Sequence, residues 1–116
     1  MVITIEGGYE LKGCVKISGS KNAALPLICS SLLTKGIVTL KNIPRIDDIF
    51  NLLKIINILN VKTVFKNNTL KIDARKIKYH HLMTNDVSKL RGSSYLMSVM
   101  LALFGKCEMA FPGGCN

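Results

Sequence analysis

A chain of 116 residues with 48% apolar side chains and a mean hydropathy of +0.30 has material for one hydrophobic core and is too apolar for a charge-swollen, disordered chain. Its formal net charge of +9, from 16 Lys and Arg against 7 Asp and Glu, invites a nucleic-acid reading. The lysines are scattered singly, however, only Arg75–Lys78 clusters, and few aromatics interleave for base stacking, so a general attraction for anionic substrates fits better.

The N-terminus, Met1-Val2-Ile3-Thr4-Ile5-Glu6, has neither a basic leader nor an apolar signal core, which predicts a cytoplasmic protein. Alternation around Gly7-Gly8 and Gly13 predicts a β-hairpin over residues 1–19. Ser18-Gly19-Ser20-Lys21-Asn22 is rich in turn formers, and a helix follows through about Leu33, ending near Lys35-Gly36. Pro26 fits only near the start of that helix, which puts Lys21 and Asn22 at its N-terminal end. Ile37–Leu40 reads as a short strand, and Asp47-Asp48 as the cap of a second helix reaching about Asn60. In that helix Ile49, Leu52, Leu53, Ile56 and Leu59 recur at helical spacing opposite a polar stripe of Asp48, Asn51, Lys54 and Asn57. Residues 61–65 and 69–74 flank Asn67-Asn68, a pair that tolerates positive φ, and predict a second hairpin. A third helix is expected from about Asp86 to Phe104, followed after Gly105 by a strand over Lys106–Phe111. Its apolar run, Tyr95–Phe104, is well short of the roughly 20 residues that cross a bilayer.

Leu32–Gly36 leading into a strand and Pro44 resembles Leu101–Gly105 leading into a strand and Pro112. The offset of 69 residues carries Asn22 onto Arg91 and predicts an array of similar α/β modules, of which about one and a half are present. Cys14, Cys29, Cys107 and Cys115 form no CxxC pair, and His80 and His81 have no ligand-spaced cysteine beside them, so no metal site is expected. Cys14, Cys29 and Cys107 fall within apolar patterns and read as small core residues.

Three places carry chemistry. The Ser18–Asn22 segment at a helix start can cradle an anion, with free amides, the helix dipole and the Lys21 charge. It lacks the spacing of a Walker loop, and taken alone it reads as a flexible connector with a solvated lysine. Arg91 beside Gly92-Ser93-Ser94 offers a guanidinium where small side chains admit a ligand, or is simply an exposed helical arginine. Cys115, after Pro112-Gly113-Gly114, sits on a loop free to reach over a cleft and is the one reactive candidate among the four thiols. Spacing alone leaves a chance loop thiol equally open.

Taken together, Ser18–Pro26, Ile43-Pro44 with Asp47-Asp48, Ile72-Asp73-Ala74, Leu90-Arg91 and Phe111–Cys115 resemble, in order and over the whole chain, the opening of the UDP-N-acetylglucosamine 1-carboxyvinyltransferases of the enolpyruvyl transferase family. The resemblance implies an α/β (α+β) fold, part of an inside-out α/β barrel of repeated helix-strand-helix-hairpin units, with helices inside and sheets outside. It assigns residues 1–19 to the second domain of the family and 20–116 to the first unit and a half of the cysteine-bearing domain, with a hinge near Ser20. It implies transfer of the enolpyruvyl group of phosphoenolpyruvate to the 3′-hydroxyl of UDP-N-acetylglucosamine, the first committed step of peptidoglycan synthesis, without cofactor or metal. Lys21 and Asn22 would bind phosphoenolpyruvate, Arg91 the UDP-sugar, and Cys115 would donate a proton and form a covalent adduct.

The same resemblance makes the chain an N-terminal piece ending just after the catalytic cysteine, inactive without the remainder of the enzyme. None of the seven carboxylates matches the family's base, and two further arginines of the site are not among these residues. Two alternatives remain beside this reading: a 3-phosphoshikimate 1-carboxyvinyltransferase, whose relatives lack the loop cysteine, and a small basic nucleic-acid-binding module.

Overall fold

The computed structural model describes residues 1–111. From Lys21 onward the chain builds a three-stranded antiparallel sheet with helices packed on its inner face. The elements are α1 (Lys21–Ser31), β1 (Ile37–Leu40), α2 (Asp47–Ile58), β2 (Lys62–Lys66), β3 (Thr69–Asp73), α3 (Asn85–Lys89) and α4 (Ser94–Phe104), with 3-10 turns at Leu32–Thr34 and Arg91–Ser93. Strand order is β1-β3-β2. The register sets Leu70 opposite Leu40 and Phe65, and Ile72 opposite Val38 and Thr63. Side chains of a strand alternate between faces, so these six share the inner face, while Val64 and Lys71 point outward and are exposed.

The expected second hairpin is present. Asn67 (φ 47°) and Asn68 (φ 58°) are both left-handed, as a two-residue turn matching strand twist requires. Asn68 also anchors the hairpin to the loop before α2: Ile43 N–H donates to Asn68 O, and Asn68 Nδ2 donates to Ile43 O, each at 2.9 Å. Arg45 continues that anchor, its guanidinium lying 4.8 Å from the Phe65 ring centre and 5.3 Å from that of Phe50. α2 is the central column, with Ile49, Leu52, Ile55 and Ile56 fully buried against the sheet and the other helices. The predicted stripe therefore faces the core, widened by Ile55.

Several expectations need correction. Residues 1–19 form no hairpin: Ile3, Ile5, Val15 and Ile17 are all at least 75% exposed. A two-stranded ribbon with no surface on which to bury its apolar face is marginal at best, and residues 1–18 are all exposed. The Cα radius of gyration, 17.2 Å, accordingly exceeds the roughly 13 Å of a compact chain this long. Pro26 is the sixth residue of α1, in its second turn, where its missing N–H removes the helical bond to the Asn22 carbonyl. The N-cap of α2 is Ile46, without a side-chain bond. Asp47 and Asp48 lie in the first turn and favour the helix through its dipole.

The third helix is broken. Leu90 is extended (φ −109°, ψ 108°), so α3 ends at Lys89, Arg91 falls in a 3-10 turn, and α4 starts only at Ser94. Ser93 fixes the break, with its buried hydroxyl 2.6 Å from Leu90 O and 3.0 Å from Val87 O. Among the described residues, the strand expected over 106–111 is reduced to one parallel bridge, Leu82 to Met109. β1 is a full strand because β3 lies along it, whereas residues 106–110 meet the backbone around Leu82 through a single bridge. The repeat is visible in outline, since α1 and α4 each span 11 residues, but the left-handed residues that close the two helical stretches are Lys35 and Gly105, one step off the expected offset.

The chain enters α1 through a tight crossing. A Cβ on Gly19 would collide with the Asn42 carbonyl oxygen and stand 3.0 Å from Pro44 Cδ. Gly19→Ala must displace one of two backbone segments, and we expect a loss of about 1–3 kcal/mol in urea unfolding. An unchanged midpoint would contradict the close approach.

Candidate functional site

The helices leave an open cleft of about 630 Å³, and three of them open on it with their N-terminal ends. Lys21 and Asn22 are the first two residues of α1, Asp48 is the second of α2, and Arg91, Gly92, Ser94 and Tyr95 span the start of α4. Leu25 and Leu90 supply its apolar lining, and Lys89 closes the end of α3. Lys21, Asn22 and Arg91, singled out separately in the sequence, are thus brought to one cavity across 69 residues of chain.

Gly92 makes the approach of the two helical arms possible. A Cβ there would lie 2.7 Å from Leu25 Cδ1, so the backbone around Arg91 packs directly on α1. The small residues noted beside Arg91 therefore split in function: Gly92 admits α1, Ser93 is buried and holds the helix break, and Ser94 faces the cleft.

The cleft is electropositive by construction. It carries three cations, Lys21, Lys89 and Arg91, against the single carboxylate of Asp48, whose Oδ2 lies 2.8 Å from Lys21 Nζ. The N-terminal dipole ends of α1, α2 and α4 add to the positive potential. Such an arrangement binds phosphate or carboxylate groups, with the Arg91 guanidinium suited to two-point contact and Lys21 to a point charge.

Lys89 and Asp48 were not legible as site residues. In a continuous helix Lys89 and Arg91 would project about 200° apart, and only the extended Leu90 turns both toward one cavity. Asp48 read as a local cap because the residue it meets belongs to another helix. Tyr95 was hidden in an apolar run.

Cys115 and the Pro112–Gly114 segment before it lie outside the described residues. Of the other thiols, Cys29 is buried, and desolvation pushes it up to about 12. Cys107 is half-buried, and burial, then the Glu108 charge, raises it. Cys14 is exposed, not a core residue as expected, because the strand that would have buried it does not form. His81 Nδ1 sits 2.8 Å from Glu108 Oε2, which ties the loop around Leu82 to the segment leading away from α4.

Residues 5–116 match the family model described as EPSP synthase (3-phosphoshikimate 1-carboxyvinyltransferase). The chain belongs to this family. It is 43% identical over 114 residues to UDP-N-acetylglucosamine 1-carboxyvinyltransferase 1 of Staphylococcus haemolyticus, and 41% identical over the same length to UDP-N-acetylglucosamine 1-carboxyvinyltransferase 2 of Staphylococcus epidermidis. Each alignment covers 98% of this chain and 27% of the relative, so the chain spans about a quarter of the length of the curated relatives it matches. The enolpyruvyl transferase NikO from Streptomyces tendae superposes with a TM-score of 0.72 at 24% identity, covering 85% of this chain and 23% of that one. The family fold is the inside-out α/β barrel, of which this chain supplies helices on the inside and a sheet on the outside. Among the described residues no helix is long and apolar enough to cross a membrane.

Two outcomes test the site's framework. Ser93→Ala removes a hydroxyl from the Leu90 and Val87 carbonyls, which keep their backbone N–H donors, and should cost about 0.5–1.5 kcal/mol in urea unfolding, with amide shifts concentrated at Lys89–Arg91. At pH 8, mass spectrometry after iodoacetamide treatment should find Cys14 alkylated and Cys29 intact, because burial holds the Cys29 thiol protonated and out of the reagent's reach. Alkylation of Cys29 in the folded chain would contradict its burial.

Proposed function

We propose that this chain is the N-terminal part of a UDP-N-acetylglucosamine 1-carboxyvinyltransferase, which moves the enolpyruvyl group of phosphoenolpyruvate to the 3′-hydroxyl of UDP-N-acetylglucosamine and releases phosphate. The observation that carries the reading is the meeting of Lys21, Asn22 and Arg91 in one cationic cleft fed by three helix N-termini. The identity to carboxyvinyltransferases of that name, along nearly the whole chain, favours the UDP-sugar over shikimate 3-phosphate as acceptor.

In this proposal Lys21 and Asn22 hold phosphoenolpyruvate, and Arg91 engages the UDP-sugar. The charge each anion brings is matched at fixed positions before the reaction begins, which is where electrostatic catalysis gains most. Cys115 donates a proton to the methylene carbon and can form a covalent adduct, while the base that takes the sugar hydroxyl proton comes from the remainder of the enzyme. The exposed, alternating apolar residues of 1–19 support assigning that segment to the second domain, with residues 20–116 in the cysteine-bearing one and the hinge near Ser20. The partner of this chain is then the rest of the same enzyme. The working compartment is the cytoplasm, where both substrates are made and the site needs no nucleic acid.

The acceptor is decided by phosphate release from phosphoenolpyruvate with either UDP-N-acetylglucosamine or shikimate 3-phosphate, measured on the enzyme that contains this segment. We expect turnover with the first alone. The family description names the shikimate enzyme, and turnover with shikimate 3-phosphate alone would move the protein to that branch. Lys21→Ala should lower kcat/KM for phosphoenolpyruvate by about 10- to 150-fold, equivalent to about 1.5–3 kcal/mol of charge-assisted contact.

The Cys115 role has its own test. A carboxylic acid can replace a thiol as proton donor but only while protonated, so Cys115→Asp should stay active with an optimum shifted to lower pH. It should also resist an epoxide analogue of phosphoenolpyruvate, which needs a thiolate. Cys115→Ala should lose most turnover and still bind UDP-N-acetylglucosamine. A pH–rate profile of each variant, with mass spectrometry of the epoxide-treated protein, reads all three. Normal turnover of Cys115→Ala would remove the residue from the chemistry.

A further inference from the structure

Among the described residues lining the cleft, the one carboxylate is placed on one of the three cations. Asp48 Oδ2 lies 2.8 Å from Lys21 Nζ, the two residues coming from the first turns of different helices. The contact is therefore set by how α1 packs on α2, not by spacing within one helix. Asp48 takes up a position on the ammonium that an entering anion needs, so ligand and carboxylate compete for the same charge. The pair is also easy to open: the Lys21 and Asp48 side chains remain 49% and 38% exposed, and solvent screens their attraction. On release, Asp48 keeps partial hydration and the favourable N-terminal end of α2, so it does not become a stranded buried charge.

We propose that Asp48 is the resident counter-anion of Lys21, a positioning residue that holds the ammonium at the cleft wall, yields it to an entering phosphoryl dianion and reclaims it as that anion leaves. It acts through Lys21 and sets how tightly the cleft retains phosphate, the group that the proposed reaction must release. The inference rests on the reading of the cleft as an anion site.

The test is a titration of the 116-residue chain with inorganic phosphate, followed by amide NMR, which reports the fold of every variant in the same spectra. The wild type should show saturable shifts at Lys21, Asn22 and Arg91. Asp48→Asn should bind phosphate about threefold to tenfold more tightly, the effect of removing one competing charge at short range in a partly screened site. Asp48→Glu keeps the charge and should return close to the wild-type affinity. Asp47→Asn, in the same helical turn but not lining the cleft, should leave affinity unchanged. In a Lys21→Met background most of the Asp48→Asn gain should vanish.

Phosphate binding that Asp48→Asn leaves equal or weaker would overturn the proposal while leaving the anion site intact. The same gain from Asp47→Asn, or a full gain without Lys21, would overturn it in favour of a general charge effect. Absence of phosphate shifts in both the wild type and Asp48→Asn would remove the anion reading and this proposal together.

Discussion

The burial of α2 is the constraint on which the rest of the structure depends. Ile49, Leu52, Ile55 and Ile56 are all without solvent exposure, and each side chain contributes about 1.5–3 kcal/mol by leaving water. A helix buried on so wide a face must be covered on several sides, and here the sheet, α1 and the α3–α4 arm share that task. Its start is fixed from the sheet side, where Asn68 bonds Ile43 in both directions and Arg45 lies over Phe50 and Phe65. Once its position is set, its first turn has one place to point, and Asp48 arrives beside Lys21.

The cleft follows from that packing more than from any motif. Helices that converge by their N-termini bring together amides with no intrahelical acceptor and dipoles of one sign, and such a site favours anions before any side chain is counted. Lys21, Lys89 and Arg91 sharpen the preference, and Asp48 tempers it. Two small features keep the arms in register: Gly92, where a side chain would press on Leu25, and Ser93, whose hydroxyl adds a second donor to the Leu90 and Val87 carbonyls across the break. Without the break at Leu90, Arg91 would sit on a regular helix and Lys89 would face away from it.

A cation cluster assembled in this way suits ligands that carry phosphate or carboxylate groups. The cleft concentrates three basic side chains in one concave place with a carboxylate among them, whereas binding along a polyanion calls for an extended stripe.

Local patterns in the sequence were sufficient for the helix at Asp47–Ile58, with its stripe of buried Ile and Leu, and for the hairpin turn at Asn67-Asn68. In both, the information lies within a few residues, as helical period or tolerance of positive φ. The resemblance to the enolpyruvyl transferases was likewise carried by short ordered motifs, and the family match agrees with it. What the tertiary structure decided was everything that depends on a distant neighbour. Residues 1–18 alternate like strands but stay exposed, residues 106–110 meet the Leu82 loop through a single bridge, and the helix expected from Asp86 to Phe104 breaks where Ser93 can bond back to Leu90 and Val87. Asp48 reads from the sequence as a cap and becomes the partner of Lys21 only when two helices cross, because a salt bridge between first turns 27 residues apart leaves no periodic trace in the chain.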